Sequence, residues 1–103
     1  MLYVGKSSIE GDGIYTSDEI PKNSVIGIAF ARCNNSGVAD KDFVVYKLGR
    51  YVNHSICPNL AFKMVRDKIY YISIKKIHDK EELTIDYTKL PIDGDLGFLV
   101  FSK

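Results

Sequence analysis

Residues 50–59 read RYVNHSICPN and residues 81–87 read EELTIDY. The first stretch sets small polar groups directly after an apolar run, and so it places several donors and acceptors at the end of a strand or helix. Such groups can orient a polar cofactor, and an Asn/Pro turn that satisfies its own backbone is the alternative. In the second stretch, the alternation of Leu83, Ile85 and Tyr87 predicts one shared strand face. Tyr87 is then either a core residue or a site residue, because a buried hydroxyl needs a partner.

Alternating apolar residues predict strands on both sides of the first stretch. Residues 60–65 and 70–74 alternate with period two and are separated by a charged turn, which predicts a β-hairpin. Residues 25–30 form another apolar run, preceded by a turn in which Pro21 and Asn23 are favourable. Together these segments predict a mostly β fold.

One short helix is predicted, over residues 42–48. Apolar side chains at i, i+4 and i+7 begin at Val44, which is the spacing of one helical face. Asp40 or Asp42 can cap the N-terminus of this helix. We expect strands and turns in most of the remaining chain.

Length, charge and thiol content limit the classes of function. The 103 residues suffice for one domain, residues 1–103, and the hydrophobic share of 46% is typical of a globular protein. A net charge of +1 argues against direct nucleic-acid binding, and the apolar runs are too short to span a membrane. With no signal-peptide pattern at the N-terminus, the sequence predicts a soluble, intracellular protein. Cys33 and Cys57 are isolated thiols that we expect to be reduced and buried, without a disulfide or metal site.

Gly11-Asp12-Gly13 lies between extended stretches and is not followed by a helical pattern. Two glycines allow a ligand to approach the backbone closely, and a plain turn is the alternative explanation. The third glycine and the βαβ setting of a dinucleotide site are absent from the sequence. By itself this segment therefore does not identify a ligand.

Taken in order, Gly11-Asp12-Gly13, residues 50–59 and residues 81–87 resemble the SET-domain lysine methyltransferases, whose pattern runs GxG, RFxNHSCxPN and EELTxDY. The resemblance covers residues 6–87 and leaves residues 88–103 as a C-terminal tail. It implies a mostly β SET fold with several small sheets of short strands, one or two short helices and a C-terminal pseudoknot. It also implies a minimal domain, without a pre-SET or a cysteine-rich post-SET segment.

In that family the matching segments bind S-adenosylmethionine, and the resemblance implies roles for individual residues without a metal. The implied catalytic residue is Tyr87, and the implied cofactor-binding residues are Gly11, Asp12, Gly13, Asn53 and His54. The implied walls of the lysine channel are Phe30, Phe62 and Ile85, of which Phe30 is placed by its position along the chain and not by a motif.

The implied activity is methyl transfer from S-adenosylmethionine to the side-chain amine of a lysine in a basic segment of a protein, such as a histone. The alternative is a non-catalytic SET-like module that binds a basic peptide. It is favoured by the short stretch between Arg32 and Asp42, where family enzymes carry a peptide-docking insert. Because Phe62 and Ile85 carry no hydroxyl, we expect more than one methyl group to be added. An apolar tail, residues 98–101, is expected to complete the channel within the chain or across a homodimer.

The sequence departs from the family pattern at several positions. Ile56 stands where the family has cysteine, and Cys57 follows one place later. Asn23 and Lys80 occupy loop positions that are often glycine. Asparagine adopts a left-handed conformation readily, whereas Lys80 does so at a cost or requires another turn.

Overall fold

The computed structural model describes residues 1–32 and 43–90, and short strands dominate both ranges. The elements in chain order are β1 (Leu2–Lys6), β2 (Asp12–Thr16), β3 (Val25–Arg32), β4 (Phe43–Val45), α1 (Lys47–Tyr51), β5 (Asn53–His54), β6 (Leu60–Val65), β7 (Lys68–Ser73), β8 (Glu82–Ile85) and a 3-10 helix (Tyr87–Lys89). The prediction of a mostly β fold is confirmed. None of the helices in the described ranges has the length and hydropathy needed to cross a bilayer.

The first sheet brings the two motif-bearing stretches side by side. Its strand order is β1-β2-β8-β5, and β5 runs parallel to β8, with Asn53 opposite Thr84 and His54 opposite Ile85. On its other side β8 pairs with β2 in the antiparallel sense. Gly11-Asp12-Gly13, which we call the glycine turn, leads into β2. The glycine turn and the polar residues of β5 therefore lie on opposite sides of β8.

The second sheet contains the predicted hairpin. Its strand order is β4-β3-β7-β6, and β6 and β7 pair over their whole length around a two-residue turn, Arg66-Asp67. The predicted strand over residues 25–30 is also confirmed, and it continues to Arg32. Because β7 lies between β3 and β6, its inward-facing side chains are among the most deeply buried in the protein.

Helix α1 packs closely on β3. A Cβ on Gly49 would lie 2.5 Å from the carbonyl oxygen of Ala29 and 2.8 Å from the ring of Phe30, so this approach requires glycine. The amide of Tyr46 donates to the same Ala29 oxygen at 3.0 Å. The apolar core, whose removal from water is the main stabilising contribution, draws on both sheets and α1: Ile14, Ala29, Phe30, Leu48, Val52, Leu60, Ile69, Tyr71, Ile77, Leu83, Ile85 and Leu90.

The predicted short helix is present, but its position over residues 42–48 is wrong. Strand β4 occupies the first part of this range and pairs with β3, and α1 begins only at Lys47. β-branched side chains such as Val44 favour strands, and β3 has an edge with which this segment can form hydrogen bonds. Strand pairing is therefore more favourable here than the helix that the apolar spacing predicts. The proposed caps, Asp40 and Asp42, lie outside the described residues.

Three smaller expectations can be compared with the structure. Asn23 and Lys80 both adopt left-handed conformations, with φ of 67° and 66°. This agrees with their place at loop positions that are often glycine. The predicted burial of Cys57 is wrong, because this thiol is exposed in a turn where the Cys57 amide donates to Ser55 Oγ at 3.0 Å. Cys33 lies outside the described residues.

Candidate active site

The turn between β1 and β2 is closed by Ser7 and open beside Gly11. Ser7 Oγ accepts from the amides of Ile9 and Glu10 at 2.9 and 3.3 Å, and the Ser7 amide donates to the Gly11 carbonyl at 2.8 Å. Gly11 has a φ of +50°, and a Cβ there would have no neighbouring atom within 4 Å. The backbone at Gly11 is therefore open to an approaching molecule.

Asn53 ties β5 to this turn. Its side chain is buried, and Nδ2 lies 2.9 Å from Ser7 Oγ, 3.1 Å from the Glu10 carbonyl, 3.2 Å from the Asp12 carbonyl and 2.9 Å from Glu82 Oε2. Four acceptors around one atom identify that atom as the amide nitrogen, since only nitrogen can donate to them. The amide oxygen of Asn53 then remains as the acceptor of this side chain.

Glu82 completes the same cluster, which we call the turn cluster (Ser7, Asn53 and Glu82). Its Oε2 accepts from Ser7 Oγ at 2.7 Å and from Asn53 Nδ2 at 2.9 Å. A Cβ on Gly13 would overlap Glu82 Oε2, so glycine at this position makes room for the carboxylate. Sequence reasoning missed Ser7 and Glu82. The position of Glu82 inside EELTIDY was a usable signal, whereas nothing in the sequence indicated Ser7.

His54 holds the backbone at the start of the 3-10 helix. Its Nδ1 accepts from the Tyr87 amide at 3.0 Å, and its ring centroid lies 5.1 Å from that of Tyr87. An accepting Nδ1 requires the neutral ring with its proton on Nε2. The predicted cofactor residue His54 therefore also positions the predicted catalytic residue.

Tyr87 is half-buried, and its hydroxyl donates to the Val52 carbonyl oxygen at 2.6 Å. Burial first, and then the charges of Glu10 and Glu82, raise the pKa of Tyr87 to about 12. The phenol is therefore neutral at physiological pH. Because its proton is donated to Val52, the hydroxyl can act toward a further group through its oxygen.

The expectation that Tyr87 continues the strand face of Leu83 and Ile85 is wrong. Strand β8 ends at Ile85, and Tyr87 begins the 3-10 helix. The physical reason is the cap at Asp86, whose Oδ1 accepts from the amide of Thr88 at 3.0 Å and from its hydroxyl at 2.6 Å. This local turn redirects the chain and brings Tyr87 over His54.

Two of the three predicted channel residues line one pocket. Phe62 and Ile85 face a pocket of about 130 Å³, whose other lining residues are Pro58, Leu60, Ala61, Ile74, Asp86 and Lys89. Phe30 is fully buried and packs edge-on against Tyr71, with 6.4 Å between the ring centroids. Neither Phe30 nor Tyr87 is among the pocket residues, so the structure brings together Phe62 and Ile85 but not Phe30. Tyr87 directly follows Asp86, which does line the pocket.

Asn59, the last residue of the first motif, holds β8 in place. Its Oδ1 accepts from the Thr84 amide at 2.8 Å, and its Nδ2 donates to the Glu82 carbonyl at 2.9 Å and to Glu81 Oε2 at 3.2 Å. Asn59 is buried and both ends of its amide are used by the chain itself. This residue is structural. Within residues 1–32 and 43–90, no group of three potential metal ligands lies together.

Comparisons with known proteins identify the family of this chain. A family model described as SET domain matches residues 29–88. The chain is 30% identical over 115 residues to Histone-lysine N-methyltransferase 2D of Homo sapiens and of Mus musculus, and each match covers 84% of this chain but only 2% of the relative.

Solved structures show the same fold. A Plasmodium falciparum protein described as a candidate histone methyltransferase superposes with a TM-score of 0.66 at 21% identity, over 87% of this chain and 99% of that one. A chain of the Chaetomium thermophilum Polycomb Repressive Complex 2 bound to GSK126 superposes with a TM-score of 0.69 at 18% identity, over 99% of this chain and 17% of that one. On the evidence of its motifs, its sheet pairing and the family match, this chain belongs to the SET domain family.

Proposed function

We propose that this chain transfers a methyl group from S-adenosylmethionine to the side-chain amine of a lysine in another protein. One observation carries the proposal: the pairing of β5 with β8 joins the glycine turn, Asn53, His54 and Tyr87 in a single hydrogen-bonded group. Membership of the SET domain family supports the same activity.

The residues around the glycine turn fit the cofactor. The open side of Gly11 leaves room for a ligand against the backbone, and the amide oxygen of Asn53 suits an ammonium group. Glu10 and Glu82 add negative charge near Tyr87, which favours a cation. We therefore assign the amino-acid end of the cofactor to Gly11, Asp12, Gly13 and Asn53, and its adenine side to His54. When bound, S-adenosylmethionine supplies a methyl group on a positively charged sulfonium.

The chain's own residues prepare the lysine. An amine must lose its proton before it can act as a nucleophile. The apolar walls at Phe62 and Ile85 disfavour ammonium by desolvation and the positive sulfonium of a bound cofactor disfavours it by like charge, and both effects oppose the charge of Asp86 on the same pocket. The released proton passes to water. The Tyr87 oxygen, held by the bond to Val52, can accept an N–H of the neutral amine and so direct its lone pair. Alignment of this kind accounts for most of the acceleration in a simple displacement.

The partner that we propose is a protein with a basic, lysine-containing segment. Asp86 lines the pocket. Its pKa is below the usual value, chiefly because Thr88 donates hydrogen bonds to its carboxylate. Asp86 is thus charged at physiological pH and suits a basic peptide. Histones are the first substrates to test, because two relatives are named histone-lysine methyltransferases. The predicted contribution of residues 98–101, and with it the homodimer, lies outside the described residues and stays a prediction.

A non-catalytic module that binds a basic peptide is the second candidate. Only residues 33–42 separate β3 from β4, where the family resemblance implies a longer peptide-docking insert. Cofactor binding by calorimetry, without methyl transfer to any basic protein, would favour this second function.

The decisive experiment measures transfer of a labelled methyl group from S-adenosylmethionine to core histones and other basic proteins. Tyr87→Phe should retain the fold and lose about 10² to 10³ in rate, the effect of removing one preorganised hydrogen-bonding group. Tyr3→Phe, on an exposed tyrosine of β1, is the matched control and should remain active. Asn53→Ala should weaken cofactor binding first. Near-normal turnover by Tyr87→Phe would show that Tyr87 is not the catalytic residue.

A further inference from the structure

The second sheet has an apolar face that is directed away from the core. On β7 the residues Ile69, Tyr71 and Ser73 are buried, so the other three residues of this strand face outward. Residues directly opposite each other share one face, and the strand pairing therefore extends this outer face across β3, β4 and β6. Its larger apolar side chains, none of them buried, are Val25, Ile28, Val44, Val65, Tyr70 and Ile72.

This composition is unusual for the exposed side of a sheet. When one face of an antiparallel sheet covers a core, the other face commonly carries polar residues. Here Val25 is 66% exposed, and Val44 and Val65 are each 44% exposed. A contiguous exposed apolar surface of this kind marks a site where another molecule binds.

The outer face also carries positive charge. Lys63 and Lys68 lie on it among the apolar residues, and Arg66 lies in the turn at its end. All three side chains are exposed, and within residues 1–32 and 43–90 none of them forms a hydrogen bond or an ion pair. Asp67 is the only acidic residue in the four strands and this turn. The charge of the outer face therefore fits an acidic partner.

We propose that the outer face binds an acidic amphipathic helix of another protein. The apolar stripe of such a helix packs on the valines and on Tyr70 and Ile72, and its flanking carboxylates pair with the lysines and Arg66. This inference goes beyond methyl transfer and does not rest on the proposed function.

The size of the outer face suits one helix. Four strands about 4.8 Å apart, with six residues along β7 at about 3.4 Å each, give about 14 by 20 Å, or roughly 300 Å². A helix of three turns is about 16 Å long and 10 Å wide, which matches this area. A stable dimer buries about 800 Å² on each partner, and two copies placed face to face would bring their lysines together.

Nucleic acid fits the outer face less well than an acidic helix. The phosphates of a DNA duplex would pair with Lys63, Lys68 and Arg66, but they would leave the apolar side chains between these cations without a contact. An acidic amphipathic helix uses both the charges and the apolar surface.

Fluorescence anisotropy tests the proposal with a labelled helical peptide of about 18 residues that has leucine along one side and glutamate on both flanks. Lys63→Glu/Lys68→Glu should weaken its binding about tenfold, because each reversed charge turns an attraction into a repulsion. The matched control, Lys6→Glu/Lys75→Glu, alters two exposed lysines outside these strands and should weaken binding less than about threefold. A second peptide, with serine in place of leucine, should bind the wild type at least about tenfold more weakly.

Arg66→Asn gives a variant whose fold is not at risk. Arg66 has a φ of 56°, and asparagine adopts this conformation more readily, so the variant should be at least as stable as the wild type. Loss of one cation should weaken binding of the acidic peptide about threefold.

Several results would overturn the inference. They are no binding of the acidic peptide by the folded wild type, an equal loss in the two double variants, and tighter binding of a DNA duplex than of the peptide. A wild-type dimer that Val65→Lys disrupts would instead assign the outer face to a second copy of the chain. Peptide binding that appears only after removal of residues 98–101 would assign it to the chain's own tail.

Discussion

Replacing Gly13 by alanine should release the turn cluster. The new Cβ would overlap Glu82 Oε2 and lie 3.2 Å from the Cβ of Ser7. The carboxylate must then move, which breaks its hydrogen bonds to Ser7 Oγ at 2.7 Å and to Asn53 Nδ2 at 2.9 Å. Hydrogen bonds to charged groups contribute about 1.5–3 kcal/mol each, and water replaces part of this loss because Glu82 is only partly buried. We expect the free energy of unfolding to fall by about 2–4 kcal/mol.

Urea denaturation followed by circular dichroism measures this change, and Gly11→Ala is the matched control. At Gly11 a Cβ meets no atom, so the cost is only the left-handed conformation, about 1–2 kcal/mol. If overlap with the carboxylate is the cause, Gly13→Ala should cost much less in a Glu82→Ala background, where only the 3.2 Å approach to the Cβ of Ser7 remains. The same cost in both backgrounds would refute the reasoning. Gly11→Ala should in addition weaken binding of S-adenosylmethionine, since its Cβ would occupy the space assigned to the cofactor.

Three further results are expected. Lys80→Gly should raise the free energy of unfolding in urea by about 1 kcal/mol, because glycine accepts the φ of 66° without strain, and a loss of stability would contradict this. Asn59→Ala should lower the free energy of unfolding by about 2–4 kcal/mol, because the buried Thr84 amide loses its acceptor. A decrease of less than about 0.5 kcal/mol would show that water replaces Asn59 as the acceptor. Stability should also fall as the pH rises from about 10 to about 12, because Tyr87 ionises at pH 10.0 when unfolded and only at about 12 when folded. Denaturation across this range should show a smaller fall for Tyr87→Phe, and an identical fall would assign the effect to other groups.

Much of the fold follows from local sequence patterns. The hairpin of β6 and β7 was predictable because alternation with period two and a charged two-residue turn act over a few neighbouring residues. The left-handed loop at Asn23 was predictable for the same reason. The helix expected at residues 42–48 was not, since the competing strand partner, β3, is more than ten residues away along the chain, and a helical spacing contains no information about it.

The candidate site divides in the same way. The sequence by itself determined which residue types are present and in what order: two glycines, an Asn-His pair and a tyrosine after an acidic strand. Only the tertiary structure decided that β5 pairs in parallel with β8, that Glu82 and Ser7 hold Asn53, and that Tyr71 is buried opposite Phe62. The physical reason is range: turn and strand preferences depend on neighbouring residues, whereas the partner of a buried polar atom depends on which distant segments the whole core brings together.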